Sequence, residues 1–445
     1  MIRRAFRGGI HPPGNKHLTK DKPFSNLSIP QICYIPMQQH TGAPARVCVA
    51  LGDNVGQGQM IGEADGLHSA HVHASIPGRV VEIARHPTIH ARDAECVVIE
   101  LQGSFSSSNR NDSPGWESRP KEEIVQKVIA AGLVGLGGEA FPTHVKLQPP
   151  HDKPVDTLIV NGCECEPYLT VDDMLMQSHA AHILMGTRMA MKALGVQRAV
   201  IGVEDDKPSA IAALRAALKE TAPPEDIQVR PLRTRFPQGE EKQLIRGILK
   251  RTVPSGGLPV DAGVAVQNVG TVYAIYEAVM FDKPLFERYI TVTGTCVKNP
   301  GNYKVRIGTR IADILEECGG LTGEPAKIIM GGPMCGITID SMEVPVVKGT
   351  SGLLFLTQDE MVPDEYRACI RCGRCVAACP MGLLPHELGN AIERNRFDRA
   401  GAFRPFDCIM CGSCAYVCPA RRPLNHFIRR AQDELRRVPP AQGED

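Results

Sequence analysis

Two runs of cysteine near the carboxyl end of the chain have the spacing of iron ligands. In each run three cysteines follow one another at short, equal intervals, and a fourth stands directly before a proline. The eight positions are Cys369, Cys372, Cys375, Cys379, Cys408, Cys411, Cys414 and Cys418. A cubane cluster needs four thiolates, and a C-x2-C-x2-C-x3-C-P run supplies them. The spacing therefore predicts two [4Fe-4S] clusters.

The order of the cysteines predicts how the clusters share them. In two-cluster proteins the fourth cysteine of each run ligates the other cluster. The expected ligand sets are Cys369, Cys372, Cys375 and Cys418 for the first cluster, and Cys408, Cys411, Cys414 and Cys379 for the second. Structural zinc is the alternative, but zinc sites usually use paired C-x2-C hooks without a third thiol at that interval. Two complete copies favour iron–sulfur chemistry.

A glycine-rich segment upstream has the composition of a loop that approaches a phosphate or a flat ring. Gly135, Gly137 and Gly138 precede Phe141, and Lys146 follows, where it could pair with a phosphate. The segment lacks a G-x-G-x-x-G pattern after a strand, and it lacks the Gly-Lys-Ser/Thr ending of a Walker A loop. Neither a Rossmann site nor a P-loop is predicted.

Two more polar segments fall where ligands bind in α/β sheets. One follows a predicted strand that ends at Val160, and the other opens a predicted helix. Their members are Asn161, Glu164, Glu166, Gly239, Glu240 and Glu241. The two adjacent carboxylates of the second segment could hold ribose hydroxyls. Equally, they could simply stabilise the start of the helix through its dipole.

The whole chain is expected to form several units that position these residues. Alternating strands and helices predict an α/β layer with a mainly parallel sheet in the middle of the chain, with one helix spanning Met174 to Leu194. The expected divisions are 1–102 with a barrel-sandwich β module, 103–120 as a linker, 121–287 as the α/β unit, 288–356 as a smaller mixed unit, 357–430 with the cysteine runs, and 431–445 as a tail.

Composition excludes several classes of protein. The chain has 445 residues, 43% of them hydrophobic, and a net charge of +1, so nucleic acid is not an expected partner. No run approaches the ~18 apolar residues of a membrane span, and no secretory signal is recognised. The 16 cysteines are therefore expected in a reduced, cytoplasmic compartment, bound to metal or active in chemistry.

In this order along the chain, the segments resemble the NADH-oxidising flavoprotein subunit of respiratory complex I. That family has a Gly-rich loop ending in Phe-Pro-Thr, then N-x-x-E-x-E-P, then G-E-E, then an N-x-x-T segment. The last of these adds Gln267, Asn268 and Thr271 to the candidate residues. The resemblance implies that the four segments bind FMN and NADH and that 288–356 is a soluble-ligand-binding β-grasp domain. This chain departs from the family at Glu139-Ala140 and at Cys163.

Over nearly its whole length the chain resembles the C subunit of the Rnf (Rsx) complex. Phe6-Arg-Gly-Gly-Ile-His-Pro12, the β module, the flavoprotein core, the β-grasp unit and the two-cluster ferredoxin-like domain occur there in that order. The resemblance implies a multidomain α/β and α+β protein in a membrane complex that couples electron transfer between NADH and ferredoxin to ion translocation. It further implies a peripheral subunit on the cytoplasmic side of the inner membrane, with a ferredoxin-like subunit among its partners.

Two alternatives remain open at this level. Cobalamin reductases of propanediol-utilising compartments are similar in the flavin and cluster parts, although the N-terminal β module favours the Rnf interpretation. A flavin-free electron-transfer subunit is the second alternative, and Cys163 with Glu139-Ala140 are the features that support it. Residues 366–445 hold 13 Arg and no Lys against eight acidic residues, a bias that suits an acidic partner or simply a solvated surface.

Overall fold

Four β-sheets and a helical carboxyl-terminal unit make up the computed structural model, which describes residues 6–90, 93–103, 115–361 and 365–437. The central part of the predicted linker, 104–114, lies outside the described residues. Residues 115–120 of the predicted linker are described. They include Trp116, which is buried in the core of the α/β unit with the Arg188 guanidinium 5.0 Å from its ring.

The amino-terminal unit is a sandwich of two antiparallel sheets. The strands of this part of the chain are β1 (Phe24–Asn26), β2 (Ile32–Pro36), β3 (Arg46–Val47), β4 (Asn54–Val55), β5 (Met60–Glu63), β6 (Val72–His73), β7 (Gly78–His86) and β8 (Ala94–Leu101). One sheet has the order β2-β8-β7-β4 and the other β3-β5-β6. Alternate residues such as Cys33 and Ile35 face the shared core, as the period of a strand requires. Strand β1 leaves this unit altogether and pairs elsewhere.

The second unit is a parallel four-stranded sheet with helices packed around it. Its elements are α1 (Lys121–Ala130), α2 (Thr143–Leu147), β9 (Thr157–Gly162), α3 (Val171–Ser178), α4 (Ala180–Leu194), β10 (Arg198–Glu204), α5 (Pro208–Thr221), β11 (Asp226–Leu232), α6 (Glu241–Leu249), β12 (Val264–Asn268) and α7 (Val269–Phe281). The strand order is β11-β10-β9-β12, all parallel. Continuous apolar runs such as Leu158–Val160 are fully buried because helices cover both faces.

The single helix predicted from Met174 to Leu194 is wrong, since the structure has two helices, α3 and α4. The break is at His179, whose backbone leaves the helical region (φ −130°, ψ 31°). Its ring packs 4.9 Å from that of Tyr273 and 5.6 Å from that of His182. Helical periodicity continues across the break, so the pattern of apolar residues could not reveal it.

The third unit is a mixed six-stranded sheet. Its elements are β13 (Glu287–Thr293), β14 (Gly301–Arg306), α8 (Ile311–Glu317), β15 (Lys327–Met330), β16 (Ile337–Ile339) and β17 (Gly352–Leu356). The order is β1-β14-β13-β17-β15-β16, so β1 of the amino-terminal segment forms an edge strand parallel to β14. Residues that the sequence groups with the β module therefore complete a sheet whose neighbouring strand lies 278 positions later, as in the pair Phe24 and Asn302.

The carboxyl-terminal unit is built from two similar loops and five helices. The helices are α9 (Arg374–Ala378), α10 (Pro385–Glu393), α11 (Phe397–Gly401), α12 (Ser413–Tyr416) and α13 (Leu424–Arg437). Gly373 and Gly412 precede α9 and α12 with φ of 73° and 71°, a left-handed conformation that glycine adopts without strain. The same left-handed turn therefore curves the backbone of each cysteine run in the same way.

A buried lysine joins three of these units. Lys348 is 1% exposed, and its Nζ donates to the carbonyl oxygens of His71 in the β module and Gly132 in the α/β unit. Its backbone nitrogen donates to Gln39 Oε1 at 3.1 Å. Among the described residues no carboxylate offsets the cost of burying this charge, and burial lowers the pKa of Lys348 to about 7.

Candidate electron-transfer site

Three of the predicted segments meet at the carboxyl edge of the parallel sheet. Asn161 at the end of β9 is paired in register with Asn268 at the end of β12. Asn161 Nδ2 donates to the carbonyl oxygen of Gly239 at 2.7 Å. Because parallel strands end at one edge, residues far apart in sequence are neighbours here.

The glycine-rich loop lies against the start of α7. The backbone nitrogen of Leu136 donates to Thr271 Oγ1 at 2.9 Å. A Cβ atom at Gly137 would lie 3.4 Å from Asn268 Cβ, and one at Gly138 would meet no described atom within 4 Å. The loop therefore borders open space on one side and the end of the sheet on the other, which is the setting that a planar ring needs.

The loop closes on itself and is followed by a partly buried cation, Lys146. Gly135 N donates to the carbonyl oxygen of Phe141 at 2.8 Å. Lys146 Nζ donates to Glu241 and lies 3.6 Å from Glu139 Oε2. Burial disfavours the charge, but the two carboxylates outweigh burial and raise the pKa of Lys146. Lys146 is thus a fixed positive charge that joins the glycine-rich loop to the Gly-Glu-Glu segment.

The Glu164 carboxylate accepts hydrogen bonds from the protein's own backbone. It accepts from the backbone nitrogens of Asp172 at 2.7 Å and Asp173 at 3.2 Å, in the first turn of α3. Burial raises the pKa of Glu164 to about 7, although Lys16 Nζ lies 3.8 Å away. The structure therefore gives Glu164 the role of an acceptor for helix N–H groups, a role the sequence analysis did not assign to it.

Replacing Glu164 with alanine distinguishes this structural role from a direct cofactor contact. Two helix N–H groups would lose their acceptor, so we expect the free energy of unfolding to fall by about 2 kcal/mol. Glu164→Gln keeps one acceptor oxygen and should lose less. Urea unfolding followed by the fluorescence of the single tryptophan, Trp116, measures both. Unchanged stability with lost FMN binding would contradict the structural role.

Glu166 connects the site to the third unit. Its carboxylate accepts from the backbone nitrogens of Met334 at 3.0 Å and Cys335 at 2.8 Å. Burial raises the pKa of Glu166, while these two donors partly offset the shift. The sequence pattern predicts that Glu166 contacts a cofactor, and the structure adds that it lies at a junction between two units.

Glu240 begins α6 as the dipole interpretation predicts. Its side chain accepts from Gln243 N at 3.1 Å and so caps the helix. Burial raises the pKa of Glu240 to about 7. The capping role does not exclude contact with a nucleotide, because the other carboxylate oxygen has capacity for a second donor.

Several buried polar atoms at this edge have no hydrogen-bond partner within the described residues. They are Gln267 Nε2, Thr143 Oγ1, and both the Nε2 and Oε1 atoms of Gln238. A buried polar atom left unpaired costs about 1–3 kcal/mol. Each belongs to one of the segments that meet here, so the site offers donors and acceptors to a polar ring system. This donor set fits FMN.

Two residues of the site, Asp172 and Arg288, are not indicated by any of the sequence motifs. Asn268 Nδ2 donates to Asp172 Oδ2 at 2.7 Å, which orients the asparagine at the end of β12. Arg288 is buried at the start of the third unit and its Nη2 lies 3.4 Å from the carbonyl oxygen of Leu136. An acidic residue in the first turn of a helix could have indicated Asp172, but nothing in the sequence links Arg288 to a loop 152 residues earlier.

The eight cysteines of the two runs line two separate cavities. One is lined by Cys369, Cys372, Cys375 and Cys418, with Ile370, Arg371 and His386 among its other residues. The second is lined by Cys379, Cys408, Cys411 and Cys414, with Met381 and Ile409 among its others. Each cavity takes three cysteines from one run and the fourth from the other. Four thiols around one cavity fit a [4Fe-4S] cluster.

The cavity with Cys411 lies against the α/β unit. Cys411 packs in an apolar cluster with Ile10, Phe236 and Cys165. Ser255 Oγ, beyond the end of α6, donates to the carboxylate of Asp407 at 2.6 Å, one residue before Cys408. The amino-terminal segment also reaches this cavity, because Gly9 N donates to the carbonyl oxygen of Ala378 at 2.8 Å.

Each of the four units matches a known domain family. The chain matches the RnfC Barrel sandwich hybrid domain over residues 4–104, the Nuo51 FMN-binding domain over 128–277, the SLBB domain over 289–338 and a 4Fe-4S dicluster domain over 361–419. The predicted multidomain architecture is confirmed, and so are its cofactors, FMN and [4Fe-4S] clusters. Fold and site together define a flavin and iron–sulfur electron-transfer protein.

Curated relatives match almost end to end. The C subunit of the Na+-translocating ferredoxin:NAD+ oxidoreductase complex of Acetobacterium woodii is 44% identical over 97% of both chains. Its counterpart in the proton-translocating complex of Clostridium ljungdahlii is 43% identical over 97% of this chain and 94% of its own length. This chain therefore belongs to the family of C subunits of ion-translocating ferredoxin:NAD+ oxidoreductase complexes. The Rnf interpretation is confirmed over the cobalamin-reductase alternative.

Solved structures agree on the fold. The air-oxidised and H2-reduced crystal structures of an NAD+-reducing [NiFe]-hydrogenase match with TM-scores of 0.53 and 0.52, each at 18% identity. They cover 75% and 77% of this chain, and 69% and 71% of the matched chains. Among the residues that the structure describes, no helix is both long and apolar enough to cross a membrane.

Proposed function

We propose that this chain exchanges electrons with NADH on behalf of a membrane-bound complex that couples NADH and ferredoxin to ion translocation. One observation carries the proposal. The strand-end site of the α/β unit and the cavity lined by Cys411 are joined by direct packing through Cys165 and Phe236. A hydride-accepting site and a one-electron site in contact are the arrangement that an entry subunit requires.

The proposed binding residues divide by segment. Those for FMN and NADH are Gly135, Gly137, Gly138, Phe141, Lys146, Asn161, Glu164, Glu166, Gly239, Glu240, Glu241, Gln267, Asn268 and Thr271, and the eight cysteines of the two cavities hold the clusters. When bound, FMN exchanges a hydride with the nicotinamide and single electrons with the clusters. The protein contributes position and charge.

Within this set we propose two roles. The glycine-rich loop borders open space at Gly138, and Gly137 of the same loop lies beside Asn268 at the end of β12, which is paired with Asn161 of β9. The loop and these two strand ends are therefore proposed to contact the ring directly. Glu164 and Glu166 accept from backbone nitrogens and are proposed to hold the surrounding loops in place. Lys146, fixed by Glu241, adds a positive charge beside the loop.

This chain is proposed to attach peripherally to its membrane complex, on the cytoplasmic side of the inner membrane. A ferredoxin-like partner is proposed because the relatives are named as subunits of ferredoxin:NAD+ oxidoreductase complexes. Relatives of almost equal identity are named for Na+ and for protons. We therefore infer that subunits other than this one select the coupling ion.

Crowding the glycine-rich loop where it meets the end of β12 tests the flavin site. Gly137 has no left-handed φ, so valine is compatible with its backbone, but the branched side chain would project beside Asn268. We expect Gly137→Val to weaken FMN binding by about 10-fold or more, equivalent to at least ~1.4 kcal/mol. Anaerobic flavin titration of the cluster-reconstituted chain measures the affinity, and mixing with NADH measures bleaching of the iron–sulfur absorbance.

The matched control is Gly56→Val, at an exposed glycine whose Cβ would meet no described atom within 4 Å. It should bind FMN and respond to NADH like the parent chain. If NADH fails to bleach the parent chain with FMN present, while dithionite still bleaches it, the proposed function is wrong and the chain only conducts electrons.

A further inference from the structure

The two cysteine loops share one backbone but differ in their surroundings. Arg371 and Met410 occupy equivalent positions, each before the second cysteine of its run, and both are left-handed, with φ of 55° and 54°. The glycines that follow the second cysteines are also equivalent in conformation. Differences between the loops therefore arise from what packs against them and from their side chains.

The second loop is covered by other units. Cys411 is 8% exposed, and its neighbour Ile409 packs with Phe236 and Met334. A Cβ atom at Gly412 would lie 3.3 Å from the carbonyl oxygen of Met334. This loop faces the α/β and β-grasp units.

The first loop faces solvent. Ile370, equivalent to Ile409, is 67% exposed, and Tyr366 is 47% exposed. Cys372 is exposed, and a Cβ atom at Gly373 would meet no described atom within 4 Å. Apolar side chains directly over a metal-binding loop, with no covering element among the described residues, mark an interaction surface.

The exposed loop also carries a concentrated positive charge. Arg367, Arg371 and Arg374 are all exposed, and none forms an ion pair within the part of the chain that the structure describes. No acidic residue occurs between Glu365 and Glu387. The covered loop has Met410 and Ser413 where this loop has two of its arginines. The charge is thus found only in the copy that faces outward.

We propose that this open face, defined as Tyr366, Arg367, Ile370, Arg371 and Arg374, docks an acidic one-electron carrier protein; the inference rests on the proposed function. Exposed apolar side chains next to exposed guanidinium groups match a carrier whose redox centre is surrounded by carboxylates. A single electron passes between the carrier and the cluster of this loop, so one is oxidised as the other is reduced. No bond forms and no proton moves.

A binding experiment on the full, cluster-reconstituted chain tests the face. The probe is a two-cluster bacterial ferredoxin, an acidic one-electron carrier, immobilised for biolayer interferometry. Arg371→Glu with Arg374→Glu is expected to raise Kd by about 30-fold at low ionic strength and by only about 3-fold at ~0.5 M salt, because salt screens the charges. Ile370→Ser should weaken binding at both ionic strengths.

The control variant makes the same change of net charge elsewhere. Arg215→Glu with Lys219→Glu alters two cations on α5 and should change Kd by less than about 2-fold, since only local charges steer docking. Iron content confirms that each variant holds its clusters. Bleaching of the parent chain by NADH in the same samples reports on the proposed function separately.

Three results would overturn the inference. Equal Kd values for the open-face variant and the control would show that the arginines do not form the docking site. Binding of the parent chain to phosphatidylglycerol vesicles but not to ferredoxin, with loss in the open-face variant, would make this a membrane surface. Self-association that the same substitutions abolish in sedimentation velocity would make it a contact between two copies.

Discussion

Replacing Cys411 with alanine is expected to stop NADH from bleaching any iron–sulfur absorbance, whereas Cys372→Ala should leave about half of it responsive. Both substitutions remove the second ligand of a run and disturb one cluster. The expected responses to NADH differ because the two cysteines lie at different distances from the α/β unit. Cys411 packs with Phe236 and Cys165, whereas Cys372 is exposed to solvent. Electron tunnelling weakens steeply with distance, so loss of the nearer centre isolates the farther one.

The experiment needs two reductants and an iron assay. Anaerobic stopped-flow mixing with NADH is compared with dithionite, which should still bleach the remaining cluster in each variant. Cys335→Ala is the control, since this cysteine lies near the junction but lines neither cavity. NADH bleaching of equal extent in the Cys411 and Cys372 variants would refute the proposed order.

Replacing Lys348 with methionine is expected to remove a pH-dependent part of the stability. The pKa of this lysine is about 7 in the folded chain and near its ordinary value of 10.5 when unfolded. Between these values the unfolded chain binds one more proton than the folded chain, so the free energy of unfolding rises with pH. The slope contributed by this residue is at most about 1.4 kcal/mol per pH unit.

Methionine also leaves two buried carbonyl oxygens, those of His71 and Gly132, without their donor. Each loss costs about 1–3 kcal/mol, so the variant should be less stable than the parent chain at pH ~9 and closer to it at pH ~6.5. Urea unfolding followed by Trp116 fluorescence at the two pH values gives the difference. A parallel loss at both values would show that Lys348 is charged in the fold.

Lys298→Met provides the reference for this comparison. Lys298 is exposed on the same β-grasp unit, and its replacement should change stability by less than about 0.5 kcal/mol at either pH. Any pH dependence of the free energy of unfolding that the Lys298→Met and Lys348→Met variants share does not arise from Lys348.

Much of this protein follows from local sequence. The cysteine runs predict two clusters because three of the four ligands of each lie within one short loop, and the structure places the fourth, from the other run, in the same cavity. The alternation of strands and helices likewise predicts the parallel sheet, since the period of hydrophobic residues is a local property. The order of the motifs was sufficient to indicate the family.

Contacts between units could not be predicted in this way. Glu164 and Glu166 are predicted to contact a cofactor, but the sequence does not show their hydrogen bonds to helix and loop N–H groups, whose positions depend on the packing of α3 and of the β-grasp unit. Arg288 and Lys348 carry no motif, and their burial is decided by units that meet only in the folded chain.

The two cysteine loops show the division most clearly. The sequence alone determined that two equivalent clusters would form, because thiolate spacing and the glycine turn are repeated in both copies. Only the tertiary structure decided that they are not equivalent in use. Packing buries the loop with Cys411 against the α/β unit and leaves Ile370 of the other loop exposed to water. No residue within either run indicates which unit will pack against that run.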